Sequence, residues 1–250
     1  PHYGDLNIKI LNSDLEFILP FIEDKLDRSD FRNIYFVHEF INWLDREQLE
    51  DRNYRNLKNL FHSQEFDDFK IFDWNYFSGK ADYDYKNISD FERLKSKDIC
   101  KHFDFSSSKD FSKFSNVIDN TLKILKNDYQ IQAPINVILE SNFEKDKEIG
   151  FKLFLHFLDN FSKQFLVIPY RSMSLIINDK DYYIKLWEYL KNWDSGNALL
   201  YKMTFFEILP NKFIEEKITA ELFELVKNIN SKSFISFDML SKFEKIKSNI

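Results

Sequence analysis

Arg55 and His62 are the two residues whose types and spacing come closest to a reactive pair. They lie at the ends of Arg55-Asn56-Leu57-Lys58-Asn59-Leu60-Phe61-His62. On an α-helix that spacing puts them two turns apart on one face, within roughly 20° of each other. Every other candidate fails on a definite requirement. Gly79-Lys80 would end a phosphate-binding loop, but Ala81 stands where the magnesium-binding Ser or Thr belongs, and Trp74 stands where the first Gly is required. Asp82-x-Asp84-x-Lys86 has the alternation of a calcium loop, yet Lys86 occupies a ligand position, the sharp-turn Gly is missing and Arg93 replaces the bidentate Glu. The segment therefore reads as a solvated acidic loop. The histidines His2, His38, His62, His102 and His156 contain no i,i+4 pair, and no cysteine cluster supports them, so neither a metal nor a cofactor is expected. His156, inside Leu153-Phe154-Leu155-His156-Phe157-Leu158, reads as a helix-packing residue. Cys100 beside Lys101-His102 is adjacency only, no G-x-S-x-G occurs, and Glu215-Glu216-Lys217 fits a nuclease fragment that needs a strand where this chain has helical period.

The Arg55–His62 spacing resembles the R-x(4–6)-H motif of HEPN ribonucleases, all-helical domains in which Arg and His act on RNA at a dimer interface. The resemblance implies that His62 would move a proton and Arg55 would stabilise the phosphorane charge. Against it stands the bland reading that Arg and His at this spacing form a solvated face.

The elements that must position these residues are helices. The chain has 250 residues, 44% hydrophobic and 30% charged, a globular balance long enough to bury a core. With 4 Gly and 5 Pro in the whole chain, the frequent turns of sheet-rich folds and the Gly-rich loops of nucleotide-binding α/β folds are both excluded. Aromatic residues reach 18%, with 28 Phe and 12 Tyr beside many Lys, Asn and Ile. Phe, Lys, Asn and Ile all have AT-rich codons, so genome bias accounts for the excess at least as well as a stacking surface would. Formal charge is −6, which disfavours nucleic acid as a partner. The apolar run Phe165-Leu166-Val167-Ile168 stops at Pro169, far short of a membrane span, and the single Cys100 fits a reducing compartment, so a cytoplasmic protein with no membrane contact is expected. The start Pro1-His2-Tyr3-Gly4 lacks Met, so the sequence reads as a piece of a larger protein.

Apolar spacing predicts the helices in turn. Ser13-Asp14-Leu15-Glu16 looks like a capping box, followed by Leu15, Ile18, Leu19, Ile22 and Leu26, with Pro20 either kinking the helix or marking its true start. A second helix is predicted from Asn33 to Asp45 on Ile34, Val37, Ile41 and Leu44, and a third from Gln48 to His62 on Leu49, Leu57, Leu60 and Phe61. Residues 64 to 90, dense in Asp and aromatics, read as an irregular insert with one short helix. Asn87 to His102 holds one or two short helices. Asp110 to Asn127 forms another on Phe111, Phe114, Val117, Ile118, Leu122 and Leu125, and a new one begins near Pro134. From Lys147 the pattern repeats. Segments Lys147 to Asn178, Asp179 to Asn211 and Lys212 to Lys247 each hold two amphipathic helices about a polar turn, and the turn residues Ser162, Ser195 and Ser231 recur at intervals of 33 and 36. That period predicts an all-α fold of antiparallel hairpins stacked as a HEAT/TPR-like α-solenoid, with residues 1–105 as an irregular N-terminal part and 106–250 as the repeat part.

Phe103-Asp104-Phe105-Ser106 through Asp110-Phe111 to Asp119-Asn120-Thr121-Leu122, Glu144 to Phe151, Lys185-Leu186-Trp187, Ile208-Leu209-Pro210 and Phe237 to Phe243 resemble the helical C-terminal regions of bacterial STAND or NACHT-like P-loop ATPases, many of them antiphage sensors. The resemblance implies a recognition or scaffold segment whose nucleotide chemistry lies outside this chain. The combined expectation is a non-enzymatic helical-repeat module binding a protein partner. Trp74, Tyr76, Tyr83 and Tyr85 are its candidate contacts, because aromatics flanked by charge are enriched at binding hot spots.

Overall fold

Leu15, Leu19 and Ile22 recur at helical spacing and are buried together, and that burial fixes the first helix more firmly than the local start signals do. Helix α1 runs from Tyr3 to Lys25, straight through both Ser13 and Pro20. An interior proline costs about 3 kcal/mol, and three buried aliphatics contribute roughly 1.5 to 3 kcal/mol each, so the tertiary term wins. The computed structural model describes residues 3–46, 52–74, 88–125, 129–163, 168–194, 197–210 and 220–221, with the side chains of 3–13, 52–55, 88–91 and 129–130 outside the description. The remaining helices are α2 (Phe31–Arg46), α3 (Arg52–Leu60), α4 (Gln64–Phe72), α5 (Ile88–His102), α6 (Phe111–Ile124), α7 (Tyr129–Lys145), α8 (Lys147–Phe161), α9 (Tyr170–Ile177), α10 (Tyr182–Asn192) and α11 (Ala198–Ile208). The described residues contain helices, turns and no strand, which makes the chain all-α.

Contacts divide the chain into two units. The first comprises Pro1–Asp98 and Ser112–Ile131, the second Ile99–Phe111 and Gln132–Ile250.

In the first unit, Asp30 accepts the backbone N–H of Arg32 at 3.0 Å and so holds the start of α2. Helix α2 then turns Phe31, Ile34, Val37, Ile41 and Leu44 inward. Ser63 caps α4 by accepting the Phe66 N–H at 3.1 Å, and Glu65 and Asp67 in its first turn suit the positive end of the helix dipole. Phe66, Phe69 and Phe72 on α4 are wholly buried, so the first aromatics of the expected irregular insert belong to the core. Phe69 meets Phe31 and Tyr35 edge-on, each at 5.5 Å between ring centres. Residues 75–87, the rest of that insert, lie outside the described residues.

In the second unit, α7 passes into α8 with Asp146 alone between them. Asp146 caps α8 by accepting the N–H groups of Glu148 and Ile149 at 3.0 and 3.1 Å. The corner is tight enough to require Gly150, because a Cβ there would sit 2.2 Å from the Cα of Phe143. Pro134, expected to open a helix, lies inside α7 instead. Asn142 pins the segment before α6 to α7: its amide donates to the Phe103 carbonyl at 2.8 Å, and its oxygen accepts the Phe105 N–H at 2.9 Å. Ser172 on α9 donates to Asn136 on α7 at 2.9 Å. Helices α9, α10 and α11 all touch one another. Segments 147–178 and 179–211 thus each hold two helices, α8 with α9 and α10 with α11, while segment 212–247 falls almost wholly outside the described residues. Helix α8 continues to Phe161 and the chain turns at Ser162, the last residue of the predicted turn Asn160-Phe161-Ser162.

Candidate functional site

The helix expected to carry both Arg55 and His62 ends at Leu60. Phe61 closes its last turn by donating to Leu57 at 2.9 Å, and His62 follows beyond it. His62 is exposed, with Nε2 3.4 Å from a carboxylate oxygen of Asp67, whose other oxygen takes the Lys70 ammonium at 2.5 Å. The Arg55 side chain lies outside the described residues. Of the four aromatic candidates, Trp74 is half-buried and has partners of its own, while Tyr76, Tyr83 and Tyr85 lie outside the described residues, as do Gly79, Lys80, Asp82, Asp84 and Lys86.

The histidine most altered by its surroundings is one the sequence does not single out. His38 shares the inner face of α2 with Ile34 and Ile41, its ring stacked on Phe66 at 3.8 Å and 16°. Its Nε2 lies 3.3 Å from the carbonyl of Phe61, and since a carbonyl only accepts, that nitrogen carries the proton. Burial pushes the imidazole down to about 4, the hydrogen bond opposing only in part, so His38 is a neutral core ring near pH 7. The nearest signal was its spacing, three and four residues from buried isoleucines. His156 is half-buried beside Phe111, at 5.4 Å, and burial lowers it too, as its place in the helix led one to expect. Lys95 is buried with its ammonium 2.9 Å from the carbonyl of Lys70, and burial lowers it to about 8.

Among the described residues a shallow polar cleft lies in each unit. In the first, Gln64, Asp68, Lys113, Asn116 and Asn120 line about 350 Å³, and Asp68 accepts from Gln64 at 3.0 Å with Lys113 at 3.7 Å. In the second, Glu140, Glu144, Tyr170, Arg171, Ser174 and Asn178 line about 330 Å³. One carboxylate oxygen of Glu140 takes Arg171 at 3.2 Å; the other is buried without a hydrogen-bond partner, and burial raises the acid's pKa. Among the described residues no three His, Cys, Asp or Glu side chains are grouped to hold a metal ion, and no helix is long and apolar enough to cross a membrane.

The unusual surface is in the first unit. Opposite its buried stripe, α2 displays Phe36 at 53% and Trp43 at 37% exposure. Phe40 lies between them and stacks on both, at 6.2 Å and 6° to Phe36 and 6.0 Å and 29° to Trp43. Helix α1 likewise displays Phe17 at 78%, Phe21 at 60% and Ile18 at 40%. Large rings held outward on helices that are already anchored by a separate inner face can dock a macromolecule, since water exclusion over them gains free energy without remodelling the fold. Comparison with family models, with curated proteins and with solved structures finds no match to this chain.

Proposed function

We propose that the chain is a non-enzymatic helical recognition module that binds a protein partner, its hairpins α8–α9 and α10–α11 stacked as an α-solenoid, and that it serves as the sensor part of a larger bacterial defence ATPase. The observation that carries the binding role is the Phe36–Phe40–Trp43 ladder on α2, its middle ring part-buried against the core and both end rings exposed. Aromatic anchors of this kind dominate the energetics of protein interfaces. The defence-sensor role draws on the resemblance of residues 100–250, the solenoid on the 33- and 36-residue period. Trp74, Tyr76, Tyr83 and Tyr85 are retained as proposed further contacts on the aromatic density of their segment. The test is a photo-crosslinking residue at position 36 in the cells that make the protein, followed by binding measurements between the purified chain and the captured protein. The double substitution Phe36→Ser and Trp43→Ser is expected to weaken that binding at least tenfold; unchanged affinity would refute the reading.

A second reading, an RNA-cleaving domain using Arg55 and His62, is favoured by one observation, the His62–Asp67 pair. A carboxylate beside an exposed imidazole orients it for proton transfer. In that reading, cleavage of single-stranded RNA by the purified chain disappears in His62→Ala, and failure of the parent chain to cleave ends it.

A further inference from the structure

The cleft between α4 and α6, inside the first unit, is lined by carboxamides that the fold leaves unpaired. Asn120 on its α6 wall is only 8% exposed; its side-chain oxygen takes the Lys123 ammonium at 2.9 Å, while its amide nitrogen has no acceptor among the described residues. Asn116, one turn earlier on the same wall, is exposed, and its carboxamide has no partner among them. On the α4 wall Gln64 donates to Asp68 at 3.0 Å, which leaves its own oxygen as a free acceptor. A buried donor left unpaired costs free energy, which an incoming carbonyl recovers.

The type and spacing of these groups decide what fits. A carboxamide carries both a donor and an acceptor, so it matches the C=O and N–H of one residue in an extended chain. An extended chain turns such a pair to the same edge at every second residue, about 6.4 to 6.8 Å apart, and Asn116 and Asn120 stand about 6 Å apart along the axis of α6. From Ser112 to Asn120 the α6 wall runs about 12 Å, the length of roughly three to four extended residues. Other occupants meet less. No aromatic ring lines the cleft among the described residues, so a nucleobase finds nothing to stack on. Glu65 and Asp68 outnumber Lys113, which already faces Asp68 at 3.7 Å, so a phosphate is repelled. We infer that this cleft holds an extended main-chain segment of a protein partner, read through its backbone by Asn116, Asn120 and Gln64. The inference rests on the recognition-module reading and gives one segment of the partner its conformation.

The probe is N-acetyl tetra-alanine amide, which offers main-chain groups and methyls alone. It is titrated into the nitrogen-15-labelled full chain and followed by the side-chain NH2 signals, those of Asn116 and Asn120 being assigned by their absence from Asn116→Ala and Asn120→Asp. Both signals shift and saturate below about 20 mM peptide. The same peptide N-methylated at every alanine has lost its donors and binds at least fivefold more weakly. Asn120→Asp keeps the volume and the Lys123 partner but replaces the unpaired donor by an acceptor, and lowers the affinity at least tenfold. Asn116→Ala, at an exposed helical position, lowers it at least threefold, while Phe36→Ser with Trp43→Ser changes it less than twofold. Circular dichroism confirms that each variant keeps its helices; should Asn120→Asp unfold, Asn116→Ala decides alone. No saturable shift, equal affinity for the N-methylated peptide, or unchanged affinity in the cleft variants overturns the assignment. So does saturation of the same signals by maltose and not by the peptide, which makes the cleft a sugar site. If crosslinking through α2 captures no partner while the peptide behaves as stated, the α2 ladder fails and the cleft stands; a captured partner whose binding ignores Asn116→Ala and Asn120→Asp removes the cleft alone.

Discussion

Helices α1 and α2 of the first unit and α10 and α11 of the second are equally aromatic in kind and opposite in how they place their rings. On α10 and α11, Tyr182, Tyr183, Trp187, Tyr201, Phe205 and Phe206 are all buried, Trp187 lies 5.4 Å from Phe205, and Trp193 meets Tyr201 edge-on at 5.5 Å. On α1 and α2 the inner stripe is aliphatic apart from Phe31 and His38, and Phe17, Phe21, Phe36 and Trp43 are left outside. In a chain where aromatics make up 18%, the number of rings in a segment therefore says little about binding. What matters is whether the helix already has another face to bury. Helix α11 uses nearly its whole circumference after Leu199 and Leu200, so its rings are core. Helices α1 and α2 have rings to spare.

The largest expected effect tests the enclosed side of this contrast. Phe205→Ala removes a fully buried ring from between α10 and α11 and should cost about 3 to 5 kcal/mol, by the lost transfer energy and the cavity left behind. Urea unfolding checks it. A loss below about 1 kcal/mol would mean that α11 is packed as loosely as an exposed helix, and the contrast would fail.

Where the inner faces are concerned, the sequence was a good guide. Ile34, Val37, Ile41 and Leu44, chosen by spacing alone, are all buried, as are Phe111, Phe114, Val117 and Ile118. Leu60 and Ile18, chosen by the same rule, are exposed, because the rule locates a stripe and not its edges. Helix starts expected at Ser13 and Pro134 fall inside helices, and of the two alternatives at Pro20 the later start is removed, for one reason: capping residues and prolines act over one turn, whereas burial acts along the whole helix. The candidate site was less legible. Phe17 and Phe21 stand one turn apart in the sequence, off the leucine line and among acids, which is a readable signal; in a Phe-rich chain it passes for composition. His38 had no signal beyond its place on the stripe, since its neutrality comes from burial, by residues as distant in sequence as Phe66, 28 positions away.

His38 also sharpens the comparison, because it makes the first unit's core sensitive to pH. Its folded value of about 4 lies below the ordinary 6.5, so between those limits the unfolded chain binds a proton that the folded chain refuses. The stabilisation is fully present above pH 6.5 and is lost as pH falls toward 4, by about 2 to 3 kcal/mol between pH 7.5 and 4.5. In His38→Leu this contribution vanishes. Carboxylates titrate equally in both proteins, so the difference between their stability–pH curves isolates the histidine. Parallel curves from pH 7.5 to 4.5 would show that water reaches the imidazole and that the aromatic stack does not seal it.

The smallest effect is expected on the displayed side. Phe17→Ser takes away a ring exposed at 78%, which leaves no cavity and strands no polar group, so unfolding free energy should change by no more than about 0.5 kcal/mol. The same substitution type at Phe205 would be severe, and that ratio is the quantity of interest. Should Phe17→Ser cost as much as a core truncation, the ring must be covered within the folded chain itself, and α1 would join α11 as an enclosed helix with nothing to offer a partner. If the cost is negligible, the ring serves no packing purpose within the chain. An apolar side chain of that size, held outward among carboxylates, then has recognition as its remaining physical use.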